Sequence, residues 1–250
     1  MVAPNGARRT RNDHPAIPVT NAQIIETARA CFAAGADGIH AHIRDDTERH
    51  LLDTAQYRDL VDGLHDAVPD MYVQVTSEAA GRYDATAQQD LIRKLVPEHV
   101  SVAMREMVRS EEDWPAARDF YHWADEASVS IQHIVYSTSE LARFIAACDA
   151  GHIPQGLLSI QLVLGTYDGT EISTPDAIQS FVDLMTGSDY EFDWMLCAFG
   201  REETDCLVEA IRLGGKARIG FENSLWNRDG SVASDNTERV AELVRLNGAL

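Results

Sequence analysis

Cysteine is scarce in this chain and poorly placed for cross-linking. The four present, Cys31, Cys148, Cys197 and Cys206, form no CxxC pair and no close framework, which argues against a disulfide-stapled secreted domain. They read as reduced thiols. Long apolar runs are also missing: nothing approaches the roughly 18 apolar residues that a membrane span requires, and no apolar secretion segment opens the sequence. A cytoplasmic protein with no membrane partner is expected. Basic charge is short, with 21 Lys and Arg against 40 Asp and Glu and a net charge of −19. Such a surface repels nucleic-acid phosphates. The one basic cluster, Arg8, Arg9 and Arg11, is brief and lies in a loop-like stretch, so nucleic acid is not an expected partner. No Ser/Gly/Pro-rich linker divides the chain, and a single domain over residues 1–250 is the expectation.

What is present is an alternation. Apolar runs of strand length alternate with amphipathic stretches of helix length, the signature of a parallel α/β fold. The strands are predicted at Gly38–Ile43, Met71–Thr76, His99–Ala103, Val129–Val135, Leu157–Leu164, Trp194–Ala198 and Ala217–Phe221. The helices are predicted at Asn21–Ala34, Thr54–Ala67, Ala87–Leu95, Glu112–Ala127, Ser139–Ala150, Pro175–Met185, Glu203–Leu213 and Asn236–Leu246. Thr20 and Thr174-Pro175-Asp176 are start signals, and Gly214-Gly215 is a stop. An eighth strand would have to be the short Val2–Pro4. Periodicity leaves a closed (β/α)₈ TIM barrel and an open doubly wound sheet nearly even, with the barrel favoured.

In such a barrel the chemistry sits at the carboxyl ends of the strands. His40 and His42, at i and i+2, point to one face of their strand and can supply two metal ligands. The bland alternative, two buried hydrogen-bonded histidines, is about as common. Glu222 ends the last strand and can approach the pair, and Arg218 shares its face at even spacing. An inward arginine needs a carboxylate or substrate partner. Other strand ends carry Gln74, Thr76 and Glu78; Ser101, Arg105 and Glu106; and Gln132 and His133. About half of these are expected to be plain core or loop polar groups.

These residues sit in stretches that resemble the β-keto acid cleavage enzymes, typified by 3-keto-5-aminohexanoate cleavage enzyme. The stretches are APNGA, PAIPVT, GADGIHAHIRDD, LLD, VQVTSEAAGRY, PEHVSVAMREM, IQLVLG, WMLCAFG and GGKARIGFEN, followed by Gly230 and Ala233–Asn236. The resemblance implies a TIM barrel, a homo-oligomer such as a tetramer, and one zinc or other divalent ion per subunit on His40, His42 and Glu222. It implies exchange of acyl groups between a β-keto acid and acetyl-CoA, giving acetoacetate and a new acyl-CoA. The ion would polarise the keto group and stabilise the enolate. Arg218 matches the arginine beside the family's general base, and Thr76 and Ser101 match hydroxyls that contact substrate.

Three positions depart from the pattern. Asn223 stands where the family carries the aspartate base, and an amide cannot accept a proton at neutral pH. Arg8 replaces a glutamate that meets the amino group of the namesake's substrate, and Gln132 replaces an acidic residue. A substrate with an extra anionic or neutral polar group, met by Arg8 and Arg105, is therefore expected, with Glu106 or Glu78 as the substitute base. The first strand is also curtailed, which leaves open a short strand or a misplaced start. No Gly-rich phosphate loop insists on coenzyme A. A lyase or hydrolase that needs no coenzyme A, and an inactive metabolite-binding barrel, are the competing expectations.

Overall fold

The computed structural model describes residues 1–248. Its strands are β1 (Gly38–Ala41), β2 (Tyr72–Thr76), β3 (His99–Ala103), β4 (Ser130–Val135), β5 (Leu158–Leu164), β6 (Phe192–Ala198) and β7 (Lys216–Ala217). They lie in sequence order, and each neighbouring pair is parallel. Val2 closes the ring by bridging Ile39 on one side and Ile219 on the other, both in parallel. Its amide donates to the Gly38 carbonyl at 2.8 Å, and its own carbonyl accepts from the His40 amide at 2.8 Å. The eighth stave of the (β/α)₈ barrel is thus one bridging residue, shorter than the expected Val2–Pro4 strand.

Around the barrel run α1 (Asn21–Ala33), α2 (Thr54–Ala67), α3 (Ala85–Leu95), α4 (Met104–Met107), α5 (Trp114–Glu126), α6 (Thr138–Asp149), α7 (Ile178–Thr186), α8 (Glu203–Arg212) and α9 (Asn236–Asn247). Their starts are written in side chains. Thr20 forms a capping box with Gln23, while Asp53, Asp84, Ser137 and Asp235 each accept a backbone N–H of the first turn. Each such cap contributes about 1 kcal/mol. Each long helix turns an apolar stripe inward, as Tyr57, Leu60 and Leu64 do on α2. Among the described residues no helix is long and apolar enough to cross a membrane, and the four cysteines are free and buried.

Three local expectations change. The strand expected at Ala217–Phe221 pairs only over Lys216–Ala217, because Gly220, with φ of 141°, breaks the extended run and a turn follows. A Cβ at Gly220 would press on the Ala3 backbone, so the close approach of the first segment requires glycine there. The helices expected from Glu112 and Pro175 begin as 3₁₀ turns at Glu111–Asp113 and Pro175–Ala177. Finally, α4 is an added single turn after β3, on residues read as a strand-end loop.

Candidate metal centre and cleft

His40 lies on β1 and His42 just beyond it, both fully enclosed. Glu222 reaches them from the turn after Gly220. The ring Nε2 atoms of His40 and His42 are 2.9 Å apart, and Glu222 Oε2 lies 3.6 Å from the first and 3.5 Å from the second. The hydrogen bonds behind the rings fix where their protons sit. His50 Nε2 is 2.9 Å from the Glu78 carbonyl oxygen, which can only accept, so His50 Nδ1 is bare. His42 Nδ1, 3.4 Å from that atom, is then the donor. His40 Nδ1 donates to Gln74 Oε1 at 2.8 Å, and Gln74 in turn donates to Gln132 Oε1 at 3.2 Å.

Two nitrogen lone pairs and a carboxylate oxygen therefore face one point, and Glu222 Oε2 has no hydrogen-bond partner. Such a grouping is repulsive unless a proton or a cation lies between. Burial rules against the proton: it pushes His40 down to about 4 and His42 well below the ordinary imidazole value. For Glu222 burial works against ionisation, but the Arg218 guanidinium beside it outweighs that and holds the carboxyl well below its usual range. A buried anion beside two neutral imidazoles can hold a divalent metal ion with one side open.

The same turn meets Arg218. Its Nη2 donates to Glu222 Oε1 at 3.0 Å, to Asn223 Oδ1 at 3.3 Å and to Cys197 Sγ at 3.3 Å. The inward arginine thus finds its carboxylate. It does so across a turn, because the backbone is no longer a strand where even spacing would apply.

Above the centre opens a cleft of about 560 Å³ lined by Arg8, Thr76, Glu78, Arg105, Glu106 and Arg218 together with His40 and Glu222. Arg8 lies over the Tyr167 ring, 5.1 Å from its centroid. Arg105 stacks 3.3 Å over Tyr136 and sits 3.6 Å from Glu140. Burial, with Glu222 and Glu106 adding to it, pushes Glu78 up to about 7; burial also raises Glu106, whose Oε2 accepts the Ala79 amide at 3.0 Å. Four expected residues lie elsewhere. Asn223 is buried behind Arg218 with its amide nitrogen unpartnered. Ser101, beside Thr76 in register, has an enclosed hydroxyl outside the cleft lining. Gln132 lines a separate cavity at the opposite end of the barrel and reaches the centre only through Gln74. His133 faces outward, packed against Tyr121 and Phe144, which is the plain core role.

Sequence reasoning missed five residues that build the site. Asn5 grips His42 from both sides, accepting its amide at 3.2 Å and donating to its carbonyl at 2.8 Å. Arg9 spans the carbonyls of Phe221, Glu222 and Asn223 at 2.7, 3.2 and 3.2 Å. Arg44 gathers the carbonyls of Asn5, Gly6, Ala7 and Arg9, and so holds the loop that carries Arg9. His50 fixes the His42 tautomer, and Tyr167 covers the cleft. Only the APNGA and GADGIHAHIRDD stretches marked Asn5 and Arg44, as motif matches without a role, and Arg9 was noted only as part of a short basic cluster.

A family model described as beta-keto acid cleavage enzyme matches residues 1–250. The chain is 24% identical over 249 residues to 3-oxoadipate:acetyl-CoA acetyltransferase of Cupriavidus necator, covering 98% of this chain and 86% of that protein. It is 27% identical over 249 residues to 3-keto-5-aminohexanoate cleavage enzyme of Acetoanaerobium sticklandii, covering 96% and 88%. Among solved structures, apo ObcA superposes with a TM-score of 0.71 at 15% identity over 92% of this chain, which spans 61% of the ObcA chain. Type I 3-dehydroquinate dehydratase from Clostridium difficile gives 0.61 at 10% identity, covering 100% and 92%. These two likenesses concern the barrel alone. With the family model matched from end to end and the barrel in place, the chain belongs to the β-keto acid cleavage enzyme family.

Proposed function

We propose that this protein is a zinc-dependent enzyme that exchanges acyl groups between a β-keto acid and acetyl-CoA, yielding acetoacetate and a new acyl-CoA. The observation that carries the reading is the convergence of His40 Nε2, His42 Nε2 and the unpartnered Glu222 Oε2 on one open-sided point beneath the cleft. A divalent ion held there supplies Lewis acidity toward a carbonyl oxygen. Arg218 keeps Glu222 ionised and in place, and with the Thr76 hydroxyl it offers donors toward a developing oxyanion. Ser101 supports this wall through its register with Thr76. The same reading carries a cytoplasmic homo-oligomer.

Arg8 and Arg105 guard the cleft mouth, so the substrate bears a second anionic or polar group. The 3-oxoadipate named for one relative is a diacid, in keeping with that choice. Asn223 cannot act as the base; among the acids that line the cleft, Glu78 and Glu106 are the two that burial raises, Glu78 to about 7. Glu106 and Glu78 remain, and one of them takes the proton. Asn223 favours one other reading, a barrel that binds metal and keto acid without turnover.

The test is to incubate metal-quantified protein with acetyl-CoA and β-keto acids bearing anionic, neutral or cationic side groups, and to follow new acyl-CoA species by mass spectrometry. A new acyl-CoA from an anionic or neutral acid that vanishes in His40→Ala supports the proposal. Bound metal with no acyl-CoA from any acid leaves the non-catalytic reading or a lyase or hydrolase that needs no coenzyme A, and a preference for cationic acids refutes the substrate assignment.

A further inference from the structure

Tyr167 stands on the loop after β5 and is aimed back into the cleft. Gly165, with φ of +75°, starts the reversal. Ser173 ties its base by donating to the carbonyls of Leu164 at 3.0 Å and Phe199 at 2.8 Å. The side chains of Thr166 and Thr170 share Asp168 Oδ1 at 2.7 and 2.8 Å and round off the tip. The Tyr167 ring is then fixed between Phe199, with centroids 4.3 Å apart, and the guanidinium of Arg8.

What this scaffold holds in place is a hydroxyl with nothing to bond. Tyr167 Oη is enclosed and has no hydrogen-bond partner. It lies 3.0 Å from the point a Gly6 side chain would occupy, and the Glu222 stem closes on that same point with its Cβ at 3.0 Å. The hydroxyl thus ends near the Glu222 stem, on the wall of the cleft. Leaving a buried hydroxyl unpaired costs free energy that a phenylalanine would avoid. The arrangement makes sense when a ligand oxygen completes it.

We propose that the Tyr167 hydroxyl is a substrate-contacting donor, which hydrogen-bonds an oxygen of the β-keto acid group seated over His40, His42 and Glu222 while Arg8, stacked on its ring, meets the acid's far end. The assignment rests on the reaction proposed above. A phenol keeps its proton at neutral pH and can offer it as a hydrogen bond.

The variant Tyr167→Phe keeps the ring, its contact with Phe199 and the platform under Arg8, and removes one oxygen. The full-length, metal-loaded protein is titrated with malonate, a 1,3-dicarboxylate that resembles a β-keto acid and does not turn over. Thermal unfolding and bound metal are measured alongside. Expected are unchanged metal content, a melting temperature equal to or above that of the parent, and malonate binding weakened roughly 10- to 100-fold, the worth of a hydrogen bond to a charged group. A purely structural hydroxyl gives the opposite pattern: a lowered melting temperature with malonate affinity within about twofold of the parent, which overturns the proposal. Should the metal-loaded parent itself ignore malonate, the proposal falls together with the reaction it rests on, and the fault lies in that reaction.

Discussion

Replacing Gly6 by alanine should dislodge the metal centre with a single methyl group. Gly6 has φ of +64°, where a side chain costs roughly 1–2 kcal/mol. The new Cβ would also lie 3.0 Å from both Glu222 Cβ and Tyr167 Oη, and closer still to Glu222 Cγ. Ordinary carbon contacts begin near about 3.5 Å, so the Glu222 stem must yield by several tenths of an ångström or more. Metal sites tolerate about 0.2 Å in ligand distance. Divalent-metal affinity should therefore fall on the order of 100-fold or more, read by competition with a chelator. Gly151→Ala is the control: its φ of +71° carries the same backbone cost, but nothing lies within 4 Å of the added carbon. Both variants should lose roughly 2–8 °C in melting temperature, and Gly6→Ala alone should lose metal. Equal metal affinity in the two variants would refute the claim that Gly6 makes room for Glu222.

Arg9→Met removes the guanidinium that spans three carbonyls of the Glu222 turn; metal affinity should drop about 10- to 100-fold, and Arg9→Lys should restore only part of it, because one ammonium cannot reach all three. Glu78→Gln with Glu106→Gln should abolish turnover while metal binding persists, and an active double variant would remove both as the base. Arg239→Met strands Glu203, its fully buried partner at 2.8 Å, and should cost roughly 3–5 kcal/mol in denaturant unfolding, most of it recovered when Glu203→Met is added. His133 is held neutral by burial, its imidazole lowered to about 3 from 6.5. Its contribution is complete above pH 6.5 and is lost as acid drives the unfolded chain to bind a proton the native state refuses. Between pH 7 and 5 that amounts to about 2 kcal/mol. His133→Leu, studied without metal, should make the stability profile shallower by about that amount, the remaining slope belonging to the other buried imidazoles, His40, His42 and His50.

The alternation of strands and helices and the histidine pair were legible because they obey periodicity, which by itself left a closed barrel and an open sheet nearly even. His40 and His42 share a face by the two-residue repeat of a strand, and the helix stripes follow the repeat of 3.6. Glu222 and Arg218 were found as residues, but their meeting was credited to strand geometry when a glycine-led turn performs it. Asn5, Arg9 and Arg44 stayed silent for a different reason. Their partners are backbone carbonyls and amides, which every residue carries, so no pairing pattern in the sequence could point to them. Tyr167 was hidden in a loop, where direction depends on turn geometry. Gln132 was placed in the cleft by analogy with strand ends, whereas its position early in β4 puts it deeper, under Gln74.

Because Val2 bridges both Ile39 and Ile219, the order of events during synthesis is constrained. The Val2 segment has only one of its two neighbours until Ile219, more than two hundred residues further on, has followed. Until then Asn5 can hold His42, but Arg9 has no turn to grip and the third ligand does not exist. A growing chain therefore passes most of its synthesis with an open sheet edge at β1 and two histidines facing water. Ring closure and completion of the metal centre become one late event joining residues far apart in sequence, a step expected to be slow.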